Sequence, residues 1–237
     1  MSSSAELYAE YFARAFSVRD TDVEYYRRCT GPGPTTVLEL GCGTGRITSQ
    51  LVTAGHDTTA VDHSAAMLAV LQRELRAPPP VVVQGDARTI RLGAQFDRVL
   101  LPFNVVGCLP QRADAQRLLR TAAIHCRDDG EVHFDVLTCQ SWHVAGGRGV
   151  VPWMDLPSVA GGARVEEAWS YDQQRRCLVT VLQLSSLEDG QMIELKTEFL
   201  FFDCGELERA CEAAGLRVLS QVTIGDSVFF RCKSALV

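Results

Sequence analysis

The stretch Val37-Leu38-Glu39-Leu40-Gly41-Cys42-Gly43-Thr44-Gly45-Arg46 constrains this chain more than any other. An apolar run is followed by glycines at alternate positions and then by an amphipathic stretch. That order spells strand, glycine turn, helix. The loop after the first strand of a doubly wound sheet is where nucleotides bind. Glycine there lets the backbone approach a ligand that any Cβ would push away.

The dinucleotide fingerprint is G-x-G-x-x-G, its third glycine allowing close helix–strand packing. Here Arg46 stands at that third position and the glycine falls one residue early, at Gly45. A carboxylate, Glu39, precedes the loop and would repel a pyrophosphate. It would not repel a ligand carrying an ammonium group or hydroxyls. Taken alone, the turn also fits a nicotinamide or flavin nucleotide, or no ligand.

Further signals follow at regular spacing. A second strand, Thr58-Thr59-Ala60-Val61, ends in Asp62, 21 positions after Gly41. A carboxylate about 20 residues on can accept from ribose hydroxyls. Asp62 also fits the N-cap of a helix beginning His63-Ser64-Ala65-Ala66-Met67, since Asp caps well. Val81-Val82-Val83-Gln84 reads as a third strand ending in Gly85-Asp86-Ala87. Asp86 alone would be an ordinary turn residue. Phe96-Asp97-Arg98-Val99-Leu100-Leu101 reads as a fourth strand running into Pro102-Phe103-Asn104. The joint spacing, rather than any single residue, favours a ligand.

These motifs resemble those of the class I S-adenosylmethionine (SAM) dependent methyltransferases. The resemblance implies that Glu39, Gly41, Cys42 and Gly43 wrap the methionine and ribose portions of SAM. It places Asp62 on the ribose, with His63 and Met67 close by. It sets the Asp86 carboxylate on the adenine amine and the Ala87 N–H on the ring. Leu101, Phe103 and Asn104 then lie beside the sulfonium. The implied fold is α/β: a doubly wound, mostly parallel seven-stranded sheet with N-terminal helices and a small antiparallel β cap. The resemblance covers roughly residues 35–137 and 204–233. It is specific for SAM as cofactor and not for the acceptor.

The rest of the chain fits this scheme. Ala5–Phe16 has a helical rhythm carrying Tyr8, Tyr11, Phe12 and Phe16, and a short helix spans roughly Asp22–Cys29. Gly31-Pro32-Gly33-Pro34 is a breaker. Strands and helices alternate to about Asp135, which argues for a parallel sheet. Residues 138–163 read as a loop, followed by three alternating runs at 163–171, 177–187 and 192–202, an antiparallel meander with one wet face. A helix Cys204–Ala214, closed by Gly215, and a final hairpin complete the chain. The expected units are 1–34 as a helical lid, 35–137 as the SAM-binding core, 138–203 as loop and cap, and 204–237 completing the core sheet. The three cap strands resemble the β cap of N-methyltransferases acting on amines, amino acids and amino sugars.

Composition narrows the partners. A net charge of −6 over 237 residues disfavours a general nucleic-acid binder. The arginines between 112 and 127 sit on an amphipathic pattern with acids mixed in. Nine cysteines show no C-x-x-C pair and no zinc-ligand spacing, which suggests reduced thiols in a cytosol and no metal. Cys42 reads as a small residue fitting its loop, not a nucleophile. No basic region followed by an apolar stretch opens the chain, and no apolar run approaches the ~20 residues that cross a bilayer. A cytoplasmic monomer or homodimer acting on a small molecule, without membrane or nucleic acid, is expected.

On the acceptor side, Tyr8 and Tyr11 share a helix face and either close over SAM or simply pack. Asn104 follows the fourth strand, where the chemistry should lie. Leu-Pro-Phe-Asn departs from the Asp/Asn-Pro-Pro-Tyr/Phe motif of adenine and amide methylators, which disfavours base methylation. His143 is the best placed of five histidines for a general base, whereas His133 lies inside a strand. Trp169 and Tyr171 share one face of a cap strand. Glu166 and Glu167 fit either an ammonium partner or solvated surface. The reading is methyl transfer to a small molecule, on an amine or amino-acid nitrogen. The same fold serves enzymes that cyclise SAM itself to azetidine-2-carboxylate with release of methylthioadenosine. A non-catalytic SAM-binding subunit is a further alternative.

Overall fold

The computed structural model describes residues 3–17, 19–75, 79–138, 148–156, 162–187, 190 and 192–235. Helices α1 (Ser4–Ala15) and α2 (Val23–Thr30) precede strand β1 (Thr36–Leu40). Then come α3 (Arg46–Thr53), β2 (Asp57–Asp62), α4 (Ala65–Glu74), β3 (Val81–Gln84), β4 (Phe96–Leu101), α5 (Asp114–His125) and β5 (Cys126–Leu137). Four strands follow: β6 (Arg148–Leu156), β7 (Ala163–Asp172), β8 (Cys177–Ser186) and β9 (Met192–Leu200). Helix α6 (Cys204–Ala213) and strands β10 (Leu216–Ile224) and β11 (Ser227–Ser234) end the chain.

Seven strands form one sheet in the order β10-β11-β5-β4-β1-β2-β3. Pairings from β3 across to β5 are parallel; β11 joins β5, and β10 joins β11, antiparallel. The central β1 is buried on both faces, with Val37, Leu38 and Leu40 fully enclosed, as expected for a strand covered by helices on either side. The chain winds outward from β1 to β3, then returns to place β4 on the other flank of β1. The carboxyl ends of β1 and β4 therefore border the crevice where strand order reverses, the general ligand site of such sheets.

Strands β6–β9 form a separate antiparallel sheet. Here the structure corrects the sequence reading, which gave a loop over 138–163 and three cap strands. Pro152 interrupts the alternation of β6, and its register with β7 shifts between Val151 and Met154. Pro is tolerated at such a bulge because β6, among the described residues, is an edge strand paired with β7.

Helix α1 ties this cap to the core. A capping box between Ser3 and Glu6 starts it. One side, through Ala9, meets Met67 and Val70 of α4, and Arg73 of α4 pairs with Glu10 at 2.6 Å. The other side inserts Leu7 and Tyr11 among Ala163, Val165, Leu182 and Leu184 of the cap.

Candidate active site

The loop after β1 uses the backbone donors of Gly41, Cys42 and Gly43 within the chain. Gly41 and Cys42 N–H both donate to the Val61 carbonyl, at 2.8 and 3.0 Å. Gly43 N–H donates to Asp62 Oδ2 at 2.9 Å. A phosphate cradle needs those donors aimed outward, so this loop is not built for pyrophosphate. Gly45 supplies a left-handed start to α3 (φ +85°), and a Cβ there would come within 2.7 Å of Leu71 Cγ. It thus performs the close packing that the dinucleotide fingerprint assigns to its last glycine. Arg46 does something the sequence reading missed. Its guanidinium grips the fully buried Asp22 through both carboxylate oxygens, at 2.7 and 2.5 Å, fastening the segment before α2 beside the loop.

Carboxylates gather beneath the loop. Glu39 is 1% exposed and accepts from Thr48 Oγ1 at 2.5 Å. It shapes the loop from below rather than offering a surface. Burial pushes its carboxyl up to about 8. Asp62 holds both Gly43 and, through Oδ1, Ser64 N–H at 2.9 Å. Asp62 is not the cap of α4; Ser64 is, accepting from Met67 N–H. A carboxylate has about four acceptor positions, so Asp62 retains capacity for hydroxyl donors. His63 extends into solvent, its Nδ1 3.4 Å from Asp62 Oδ1. Met67 is buried against α1. Asp86 is oriented by Arg88, whose Nη2 lies 2.6 Å from Oδ2 and whose other side pairs with Asp114 at 3.0 Å. Ala87 packs on the main core.

The turn after β4 is unusual. Phe103 and Asn104 both take positive φ, 60° and 59°. The buried Asp135 of β5 holds them there, accepting from Phe103 N–H at 2.6 Å, Asn104 N–H at 3.1 Å and the Tyr26 hydroxyl at 2.6 Å. Burial pushes Asp135 up to about 6 despite those donors. Asn104 is 3% exposed. Its Oδ1 accepts from Leu137 N–H at 3.2 Å, and its Nδ2 is enclosed without a partner. Leu101 is fully buried and belongs to the floor of the crevice, not to its surface. Asp135 and Tyr26 went unremarked in the sequence. The available signal was Glu131, His133 and Asp135, three polar groups at alternate positions of a strand otherwise read as core. His133 bonds Tyr25 and Glu131 at 3.1 Å each, anchoring α2.

Aromatic rings roof the crevice. Phe12 lies 3.6 Å from where a Gly43 Cβ would stand. Phe12 and Phe16 pack on Phe103 with centroids 5.8 and 4.8 Å apart, and Tyr8 continues the row 6.2 Å from Phe12. Arg19 and Arg46 flank the Phe103 ring at 4.9 and 5.4 Å. Tyr11 reaches the cap, its hydroxyl donating to Glu167 Oε2 at 2.6 Å. Desolvation pushes Tyr8 up to about 12 and holds Tyr11 higher still, so both act as hydrogen-bonding phenols rather than bases at neutral pH. His143 lies outside the described residues.

A methyltransferase domain model matches residues 37–130. A dTDP-3-amino-3,4,6-trideoxy-alpha-D-glucopyranose N,N-dimethyltransferase of Streptomyces venezuelae is 26% identical, covering 86% of this chain and 84% of that protein. Residues 37–130 of this chain thus resemble a methyltransferase domain. The cypemycin N-terminal methyltransferase of a Streptomyces species is 32% identical, over 47% of this chain and 46% of that protein, so this match spans about half of each. Among solved structures, the sugar N-methyltransferase KedS8 from a Streptoalloteichus species superposes with a TM-score of 0.77, at 20% identity over 100% of this chain and 94% of that one. Such structural likeness establishes the fold.

SAM carries a sulfonium, an ammonium and ribose hydroxyls. A sulfonium needs rings and carboxylates rather than phosphate-binding amides. Asp62 lies below, the Phe12–Phe16–Phe103 cluster lies above, and the N–H groups of Gly41, Cys42 and Gly43 are taken up within the chain. Among the described residues no group of three His, Cys, Asp or Glu side chains is placed to hold a metal ion.

Proposed function

We propose that this methyltransferase alkylates the amine nitrogen of a small molecule. The observation that carries the reading is the crevice between β1 and β4, bordered by Asp62 and roofed by aromatic rings, with the N–H groups of Gly41, Cys42 and Gly43 already taken up within the chain. The amine-methylating relatives support the acceptor class. SAM supplies an electrophilic methyl on sulfur, so the chain's own work is alignment and exclusion of water. In this reading the 41–43 loop and Phe103 position the methionine end, with Tyr8 closing over it. Asp62 accepts from the ribose, with His63 and Met67 beside it. Asp86 and Ala87 address the adenine. Asn104 fixes the floor on which the acceptor rests, and residues 1–34 and 138–203 act as lid and acceptor-facing cap over the core. The setting is a reducing cytosol, the described cysteines being free thiols.

Purified protein incubated with SAM and a panel of amines, amino acids and amino sugars should release S-adenosylhomocysteine with at least one of them. Asp62→Ala should weaken SAM binding at least tenfold by calorimetry. Unchanged affinity would sink the assigned pocket. Methylthioadenosine with a cyclic amino acid, formed from SAM alone above a no-enzyme control, would replace methylation by cyclisation.

A further inference from the structure

Glu167 occupies a position that the alternation of β7 alone does not reveal. In β7 successive side chains point to opposite faces, and Ala163 and Val165, four and two residues before it, are buried against α1. Glu167 therefore projects from the inner face of the cap, toward α1, while its neighbour Glu166 is exposed. The cross-strand register sets it level with Leu182 and, beyond that, Leu195. The next row toward the open end carries Trp169, Thr180 and Thr197. Tyr8 packs against the same cluster and lies between Tyr11 and Phe12, with ring centroids 6.5 and 6.2 Å away. One carboxylate thus meets Tyr11, and Tyr8 and Phe12 continue from there to the motif loop at Gly43.

A carboxylate facing an apolar seam is costly unless its charge is compensated. Tyr11 donates to Oε2 alone. Among the described residues this partner is a neutral phenol, which orients the carboxylate without neutralising it. We propose that Glu167, held by Tyr11, is the receptor for a ligand ammonium at the methyl-transfer position, resting on the reading of this protein as an amine methyltransferase. The acceptor enters as its ammonium form. Glu167 takes one proton, an N–H bond breaking as an O–H bond forms, and the electron pair stays on nitrogen as the nucleophile. The proton then passes to water. Two ligands could bring an ammonium: the acceptor amine, and the methionine end of the cofactor itself. The acceptor is favoured because Glu167 comes from the cap, opposite the loop that holds the cofactor.

Two cofactor analogues separate these sources on the intact chain. S-adenosylhomocysteine lacks the methyl group, whereas sinefungin carries an ammonium in its place, and both share the methionine ammonium. By calorimetry, Glu167→Gln should weaken sinefungin about tenfold, or ~1.4 kcal/mol, and leave S-adenosylhomocysteine within about twofold. Glu167→Thr, a neutral substitution suited to a strand, should do the same and guards against a folding defect peculiar to Gln. Unchanged sinefungin affinity in both variants overturns the proposal. Equal weakening of both analogues also overturns it and assigns Glu167 to the methionine ammonium. Wild-type protein that binds neither analogue would instead overturn the SAM reading on which this one rests.

Discussion

Glu39 shows how a buried residue can hold a loop from beneath. It lies beneath the glycine loop, and burial raises its carboxyl to about 8 from the ordinary 4.5. In the folded chain at neutral pH it keeps its proton; in the unfolded chain it has lost it. A raised carboxyl favours the fold at low pH, and that contribution is lost as pH rises from about 4.5 through 8. Glu39→Gln has no proton to lose. The melting temperature of the variant should therefore gain on wild type by several degrees between pH 5 and pH 8, since ~1 kcal/mol moves a domain of this size by about 2–4 °C. A pH-independent difference would show that Glu39 is ionised in the fold. The sequence marked Glu39 as a repeller of phosphate. It could not show the burial, because Thr48 and the helix that carries it come from the far side of the loop.

At the scale of elements, the β4–α5 turn is held from a distance. An αL conformation costs a non-glycine residue roughly 1–2 kcal/mol, and Phe103 and Asn104 adopt it in succession. Asp135, on the neighbouring strand, repays this by accepting from both N–H groups and from Tyr26 on α2. Asp135→Asn offers one oxygen where two served three donors. At least one buried donor is then orphaned, at about 1–3 kcal/mol. Urea unfolding should accordingly place Asp135→Asn about 2 kcal/mol below wild type. Equal stability would mean that the turn holds itself. Strand β6 was unreadable for a related reason. Pro152 breaks the local pattern, and only pairing with β7 makes the segment a strand.

In the whole molecule, α1 belongs to two bodies at once, packing on α4 of the core and on the inner face of the cap. Binding of S-adenosylhomocysteine should slow amide hydrogen exchange in α1, in the 41–45 loop and in the turn at 102–104, and leave the distant β10–β11 hairpin unchanged. Unaltered exchange in α1 would refute its role as a lid. The sequence by itself determined the alternation of strands and helices, the parallel sheet and the glycine turn, because hydrophobic period and turn chemistry are local. Only the tertiary structure decided the rest. Asp22 meets Arg46, Asp135 meets the 103–104 turn, and Tyr11 meets Glu167 across 156 positions. Which face of a cap strand looks inward depends on what the sheet packs against. Whether a carboxylate is surface or site depends on the same fact, because charge is cheap in water and costly in a seam.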